Sequence, residues 1–253
     1  MVILINISLA FSLMALCFYL AGYVLGKEKI YSISAFLLLA SWAFSLAYCV
    51  VYSIQAGRLP LSNQYESVLL LAQFVLAATF YFYFLGGRKI SLLLPSLALS
   101  PVFYSMLNLL DSSVRPLMPA LRSNWLFFHV FTAMVSYSFF AVAGIRGLIY
   151  FIKKNANEGG YCLSLVKAGF AMLTIAIITG AVWAENAWNR YWSWDPKETW
   201  SLITWLYYAA VLHLRKGKID NRTFMLSLFI GLLIVIFTYF GVNYLLSGLH
   251  SYA

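Results

Sequence analysis

The stretch Trp183-Ala-Glu-Asn-Ala-Trp188-Asn-Arg190-Tyr191-Trp192-Ser-Trp194-Asp195-Pro196-Lys197-Glu198-Thr-Trp200 sets five tryptophans and a tyrosine between two apolar segments. Indole rings favour the boundary between hydrocarbon and water, where an apolar body and a polar N–H are both accommodated. An ordinary interfacial belt places one or two such rings at a helix end, whereas this run gathers six aromatics in one connection and adds charges. It reads as a flat binding platform. Its end also has the order of a helix start, with Asp195 as N-cap, Pro196 at N1 and Glu198 at N3. Capping is the simpler role for Asp195 and does not exclude contact with a ligand. The helix that begins there projects Lys197, Trp200 and Trp205 beside the aromatic run.

Working outward, the chain of 253 residues is 63% hydrophobic and 10% charged, with a mean hydropathy of +0.83. Those values exclude an ordinary soluble domain and indicate a polytopic protein of the lipid bilayer. The net charge of +9 is therefore read loop by loop as a topology signal, and no nucleic-acid partner is expected. Cys17, Cys49 and Cys162 form no C-x-x-C pair, so neither a zinc knuckle nor a covalent c-type haem site is present. The first apolar stretch has no basic n-region and runs past the length of a signal-peptide core.

A spanning helix needs about 20 mostly apolar residues. Eight segments qualify: Val2 to Leu25, Ser32 to Ile54, Val68 to Gly86, Ile90 to Leu110, Trp125 to Ile152, Ala168 to Ala184, Trp200 to Leu214 and Phe224 to Leu246. The sixth and seventh are short and rest on their aromatic ends. Pro95 and Pro101 are expected to kink the fourth or leave it partly re-entrant. On alternate sides, twelve Lys and Arg residues oppose five. The basic side is then cytoplasmic, and both termini and the tryptophan loop are external. The fold expected is all-α, with one membrane domain over 1–253 and a tryptophan loop at about 183–200. In a second external loop Asn63 and Glu66 have the spacing of another helix cap. A third, from Asp111 to Asn124, carries Arg115, Pro116, Pro119 and Arg122.

Histidine is uncommon in membrane segments, which raises the prior for function at each of His129, His213 and His250. His129 lies one turn inside the external end of the fifth segment, and His250 just past the last one. Singly, each has a bland account, a helix–helix hydrogen bond or a solvated tail. Together they flank the aromatic surface as a pair of imidazoles, the arrangement that a planar iron macrocycle requires. His213 lies about 20 Å deeper along its helix and belongs to another site, unless it only marks the cytoplasmic interface next to Arg215 and Lys216. If it binds haem with two histidines, a partner chain must donate the second.

From Trp188 to Trp200 the chain resembles the tryptophan-rich WWD loop of haem-handling proteins, specifically the CcsA/ResC branch of cytochrome c biogenesis. The resemblance extends to Phe-Phe-His129-Val, to Leu-His213, to the stretch from Phe237 to Tyr252, and to Pro60-Leu-Ser-Asn63-Gln-Tyr65-Glu66-Ser, and so covers nearly the whole chain. Asn189 departs from it, since many relatives have glycine there. The family implies a subunit that works with a ResB/CcsB-type membrane partner in a bacterial inner membrane or a thylakoid. It carries haem b outward and attaches it to C-x-x-C-H motifs of apocytochrome c as a holocytochrome c synthase. Carried over by position, His129 and His250 are external axial ligands, His213 is the ligand within the membrane, and Trp192, Trp194 and Asp195 form the core of the haem-contacting loop. Trp183, Trp188 and Trp200 extend that surface. Arg190 and Lys197 are candidates for the propionates, as are Arg115 and Arg122, although such cations at an interface also face lipid phosphate. Two other readings compete: a carrier that presents haem without forming a bond, and a transporter or quinone-interacting subunit with an aromatic belt.

Overall fold

The computed structural model of the chain describes residues 2–86, 89–153 and 159–248. Among these residues every regular element is helical. The chain forms two compact units, Met1–Arg115 and Pro116–Ala253.

The first unit contains α1 (Val2–Leu25), α2 (Glu28–Ala56), α3 (Gln64–Leu85) and α4 (Leu94–Leu109), the last preceded by a 3-10 turn at Ile90–Leu93. Helix α1 packs on α2 and α4, and α3 packs on α4. Because lipid tails are as apolar as leucine, helix association here relies on close packing and buried polar contacts. Ser41 Oγ donates to the Ser8 carbonyl at 2.7 Å, while Gln73 Nε2 and the Tyr104 hydroxyl both donate to Ser45 Oγ, at 3.0 and 2.9 Å. Pro95 sits in the first turn of α4, where a missing N–H costs nothing, and the helix continues through Pro101 to Leu109.

The spacing at Asn63 and Glu66 does form a helix cap, with Asn63 Oδ1 accepting the Glu66 N–H at 2.8 Å. Glu66 itself is fully buried. Its carboxylate accepts Arg58 Nη1 and Nη2 at 2.8 and 2.7 Å, the Ser62 N–H at 2.7 Å, Ser62 Oγ at 2.9 Å and the Tyr52 hydroxyl at 3.0 Å. A buried carboxylate is tolerated only when its charge is opposed and its lone pairs are filled. This one meets both conditions and closes the connection between α2 and α3.

The second unit contains α5 (Asn124–Lys153), α6 (Gly159–Trp188), α7 (Pro196–Lys216), α8 (Asn221–Ile236) and the short α9 (Val242–Leu245). A π-helical turn at Phe237–Gly241 joins the last two. Helices α5 and α6 form the main pair, α8 packs on α5, and α7 packs on α6 and α8. Thr204 and Thr238 share a hydrogen bond of 2.9 Å, and Trp200 packs on Phe237 with ring centroids 4.3 Å apart. These contacts fix the start of α7 against the π turn.

Two expectations change. Among the described residues seven helices, not eight, are long and apolar enough to cross a bilayer, and α7 is the one outside that set. At 21 residues α7 is long enough, about 31 Å, but it starts four residues before the apolar run and carries Lys197, Glu198, Arg215 and Lys216 at its ends. The sixth segment is longer than its hydropathy suggested, because α6 runs through Glu185 and Asn186 to Trp188. The connection between α6 and α7 is thus residues 189–195. Trp183 and Trp188 stand on one helix, Trp200 on the next, and only Tyr191, Trp192 and Trp194 in the loop itself.

Candidate haem-facing site

His129 is held by α6 rather than by its own helix. Its Nδ1 lies 2.8 Å from the Ala176 carbonyl oxygen, which only accepts, so Nδ1 carries the proton. In the neutral ring the lone pair is then on Nε2, the form in which an imidazole binds a metal. The ring lies parallel to Trp183, with centroids 6.0 Å apart and planes 8° from parallel. It also rests over Gly180, where a Cβ would come within 2.6 Å of Nδ1. Ala176 and Gly180 are four residues apart, the small-x-x-x-small spacing that lets two membrane helices approach closely. That spacing was the available signal for the His129 seat, and a reading centred on the aromatic run passes over it.

The tryptophans do different work. Trp183 is 2% exposed and donates its Nε1–H to the Ala120 carbonyl at 2.9 Å, in a core with Leu121 and Leu126. It stands behind His129 as packing. Trp188 meets Trp183 edge to face at 4.8 Å and is half-buried. Trp200 is engaged with Phe237, and Trp205 donates to Thr174 Oγ1 at 2.9 Å. Trp194 is 68% exposed and meets the half-buried Trp192 nearly at right angles, at 5.8 Å. Its backbone φ is +58°, a left-handed conformation that costs a bulky residue about 1–3 kcal/mol. The loop thus holds an indole outward in a strained conformation. Asn189 has the same φ of +58° and follows the last turn of α6, its N–H bonded to the Glu185 carbonyl at 2.9 Å. Asparagine tolerates this conformation best after glycine, which accounts for the residue found there.

Asp195 completes a capping box. Oδ1 accepts the Lys197 N–H at 2.9 Å, and Glu198 accepts the N–H groups of Asp195 at 3.2 Å and Ser193 at 2.7 Å. The other carboxylate oxygen faces Gly248 so closely that a Cβ there would collide with it. The segment leading to His250 therefore passes directly over the start of α7. Arg190, Ser193, Asp195, Ser247 and Gly248 line an open cavity of about 440 Å³ at this junction. Arg190 is exposed and Lys197 half-buried. Burial pushes the Lys197 ammonium down to about 8, against the opposing pull of Asp195.

His213 is exposed on α7, and its Nδ1 donates to the Ala209 carbonyl one turn back at 2.8 Å. The neutral ring again carries its lone pair on Nε2. The site is about 26 Å along α7 from Pro196. His250 lies outside the described residues, so the structure brings Ser247 and Gly248, not His250 itself, to the tryptophan loop. Among the described residues no group of three or more His, Cys, Asp or Glu is placed to hold a bare metal ion.

A family model described as "Cytochrome C assembly protein" matches residues 61–250, which include every site residue discussed here. The cytochrome c biogenesis protein CcsA of Guillardia theta is 36% identical over 236 residues, 79% of this chain and 78% of that one. CcsA of Chlamydomonas reinhardtii is 37% identical over 220 residues, 78% of this chain and 62% of that one. CcsA of Prochlorococcus marinus (strain MIT 9312) is 34% identical over 275 residues, 91% and 87% of the two chains. Among solved structures, the cytochrome c heme lyase CcmF matches with a TM-score of 0.69 at 17% identity. That match covers 93% of this chain and 45% of CcmF, so the chain shares its fold over less than half of CcmF's length.

Proposed function

This chain belongs to the cytochrome C assembly protein family, and on that premise we propose that it is the haem-handling subunit of a membrane holocytochrome c synthase. It moves haem b to the outer face of a bacterial inner membrane or a thylakoid and positions it for attachment to the C-x-x-C-H motif of apocytochrome c. A ResB/CcsB-type membrane protein works with it. Both units act as one haem-handling domain over 1–253. Helix α7 crosses with its neighbours, so that both termini and the loop at 189–195 are external, in keeping with the distribution of Lys and Arg.

The observation that carries this reading is the 2.8 Å contact of His129 Nδ1 with the Ala176 carbonyl: the carbonyl accepts a hydrogen bond from Nδ1–H, which puts the lone pair of the neutral ring on Nε2, the nitrogen that would bind iron. His250 supplies the second axial ligand. Trp192 and Trp194, at right angles to one another, contact the macrocycle by face and by edge, and Asp195 fixes their loop to the start of α7. Arg190 and Lys197 meet the propionates. His213 holds haem within the membrane, with a second imidazole donated by the partner.

Attachment adds each cysteine S–H across a vinyl group, with sulfur joining the carbon next to the ring and hydrogen the terminal carbon. The addition is redox-neutral, so the protein's task is positioning. His129 and His250 keep the iron fixed while the peptide approaches the vinyl edge, and the peptide's own histidine then displaces one of them.

Co-expression with the partner and an apocytochrome c tests the proposal. Covalent haem in the cytochrome without any other assembly factor is expected, as is its loss in H129A and H250A with recovery on added imidazole. Non-covalent haem alone would leave a carrier. Full attachment in H129A would refute the axial role.

A further inference from the structure

We propose that Gly180 is a positioning residue for haem ligation: by carrying no side chain it seats the His129 imidazole and fixes which ring nitrogen faces the iron. The inference rests on the reading of His129 as an axial ligand and goes beyond it to a residue that touches neither haem nor peptide.

The ring meets three residues of α6. The Ala176 carbonyl accepts its Nδ1 proton at 2.8 Å, Trp183 lies parallel on one side at 6.0 Å, and Gly180 forms the floor. A Cβ at Gly180 would stand 2.6 Å from Nδ1, 2.8 Å from Cε1 and 3.3 Å from Cγ. Distances under about 3 Å between such atoms are not sustained, so one side has to move. The backbone of α6 is held by its own hydrogen bonds and by the buried Trp183, whereas the imidazole turns about two side-chain bonds. The ring is what yields. Once it yields, the bond to Ala176 is stretched, the tautomer is no longer fixed, and Nε2 leaves its axis. Hydrogen bonds of this kind to a ligating histidine are worth about 10- to 100-fold in metal affinity or activity.

A matched control exists on the same pair of helices. A Cβ at Gly169 would stand 2.7 Å from Phe140 Cε1, the same steric load, eleven positions and about 16 Å away along α6. Gly169 has no contact with His129. If α5–α6 packing alone mattered, G169A and G180A would behave alike.

The test uses the complex of this chain with its membrane partner, purified as wild type, H129A, G180A and G169A, and reads the reduced visible spectrum with and without imidazole. G180A is expected to show the H129A change, with about 10-fold weaker haem retention, and to regain the wild-type spectrum with imidazole. G169A is expected to ligate haem as wild type does. A second readout does not depend on G180A folding: nitrogen NMR of ¹⁵N-histidine-labelled wild type, with the His129 signals identified by their loss in H129A, is expected to show the proton on Nδ1. A changed H129A spectrum with an unchanged G180A spectrum would overturn the role of Gly180 alone. So would equal effects in G180A and G169A, whereas a proton on Nε2 would remove the support for His129 as a ligand as well as the role of Gly180. An unchanged H129A spectrum would overturn the axial-ligand reading itself, and this inference with it.

Discussion

Two helix starts in this molecule are written in the same local code and end in different surroundings. At the start of α3, Asn63 caps the helix and Glu66 follows three residues later. At the start of α7, Asp195 and Glu198 repeat that spacing. The first is sealed, with Arg58, Ser62 and Tyr52 filling the lone pairs of a carboxylate that has no exposure. The second is buried and satisfied as a capping box too, but Asp195 borders a cavity shared with Arg190, Ser247 and Gly248, beside a loop that holds Trp194 outward at positive φ. A polar cluster whose capacity is used up internally holds the chain together. One that faces a cavity beside strained, exposed aromatics is shaped for something that binds.

Removing the Glu66 carboxylate has the largest expected effect. Glu66→Ala leaves Arg58 without its carboxylate and is expected to lower stability by about 3–5 kcal/mol. Thermal unfolding of the complex would show this, while surviving protein keeps the wild-type haem spectrum. A spectral change without loss of stability would mean that the sealed cluster also faces ligand. Asp195→Ala should invert the pattern. Losing the cap costs about 1 kcal/mol, yet covalent attachment should fall by about 10-fold or more, since the loop and the segment before His250 both meet at this carboxylate. Equal, small losses in both assays would make Asp195 a cap and nothing else.

A gentler probe is Gly248→Ala, which pushes a methyl group against the Asp195 carboxylate without removing it. A several-fold loss of attachment at unchanged melting temperature is expected, and no loss would separate the C-terminal segment from the site. The smallest effect concerns Lys197, whose pKa near 8 lies below that of a lysine in an unfolded chain. Its burial cost is therefore present below about pH 8 and is relieved as pH rises from 8 towards 10, where the folded form gains stability. In the haem-loaded complex the propionate carboxylates favour the charged ammonium and oppose this shift. Attachment at pH 7 should fall a few-fold in Lys197→Met, and equal attachment in wild type and variant would separate Lys197 from the propionates.

Much of the architecture is legible in the sequence, because about 20 apolar residues in water-excluding lipid leave a helix as the one way to satisfy the backbone. α1 begins and ends where its apolar run does, at Val2 and Leu25. α6 exceeded its run since Glu185, Asn186 and Lys167 interrupt hydropathy but not helical geometry. α7 fell outside the apolar set for the converse reason, its charged ends. At the site, the depth of His129 and the cap at Asp195 follow from local spacing. The small-residue spacing of Ala176 and Gly180 marks a close-packing face of α6 but not that His129 occupies it, and the burial of Trp183 depends on Ala120 and Leu121 from a distant connection. The aromatic run reads as one platform, yet three of its five tryptophans stand on helices, with Trp183 and Trp200 committed to packing. The closed state of Glu66 was equally hidden, since Arg58 reaches it from the preceding connection.

The central claim is that the imidazole of His129 ligates iron beside the tryptophan loop. Electron paramagnetic resonance of the oxidised, haem-loaded complex tests it most directly. A low-spin bis-imidazole signal is expected in wild type, giving way to a high-spin component in His129→Ala and returning on adding imidazole. An unaltered bis-imidazole signal in His129→Ala, at full haem occupancy, would contradict it.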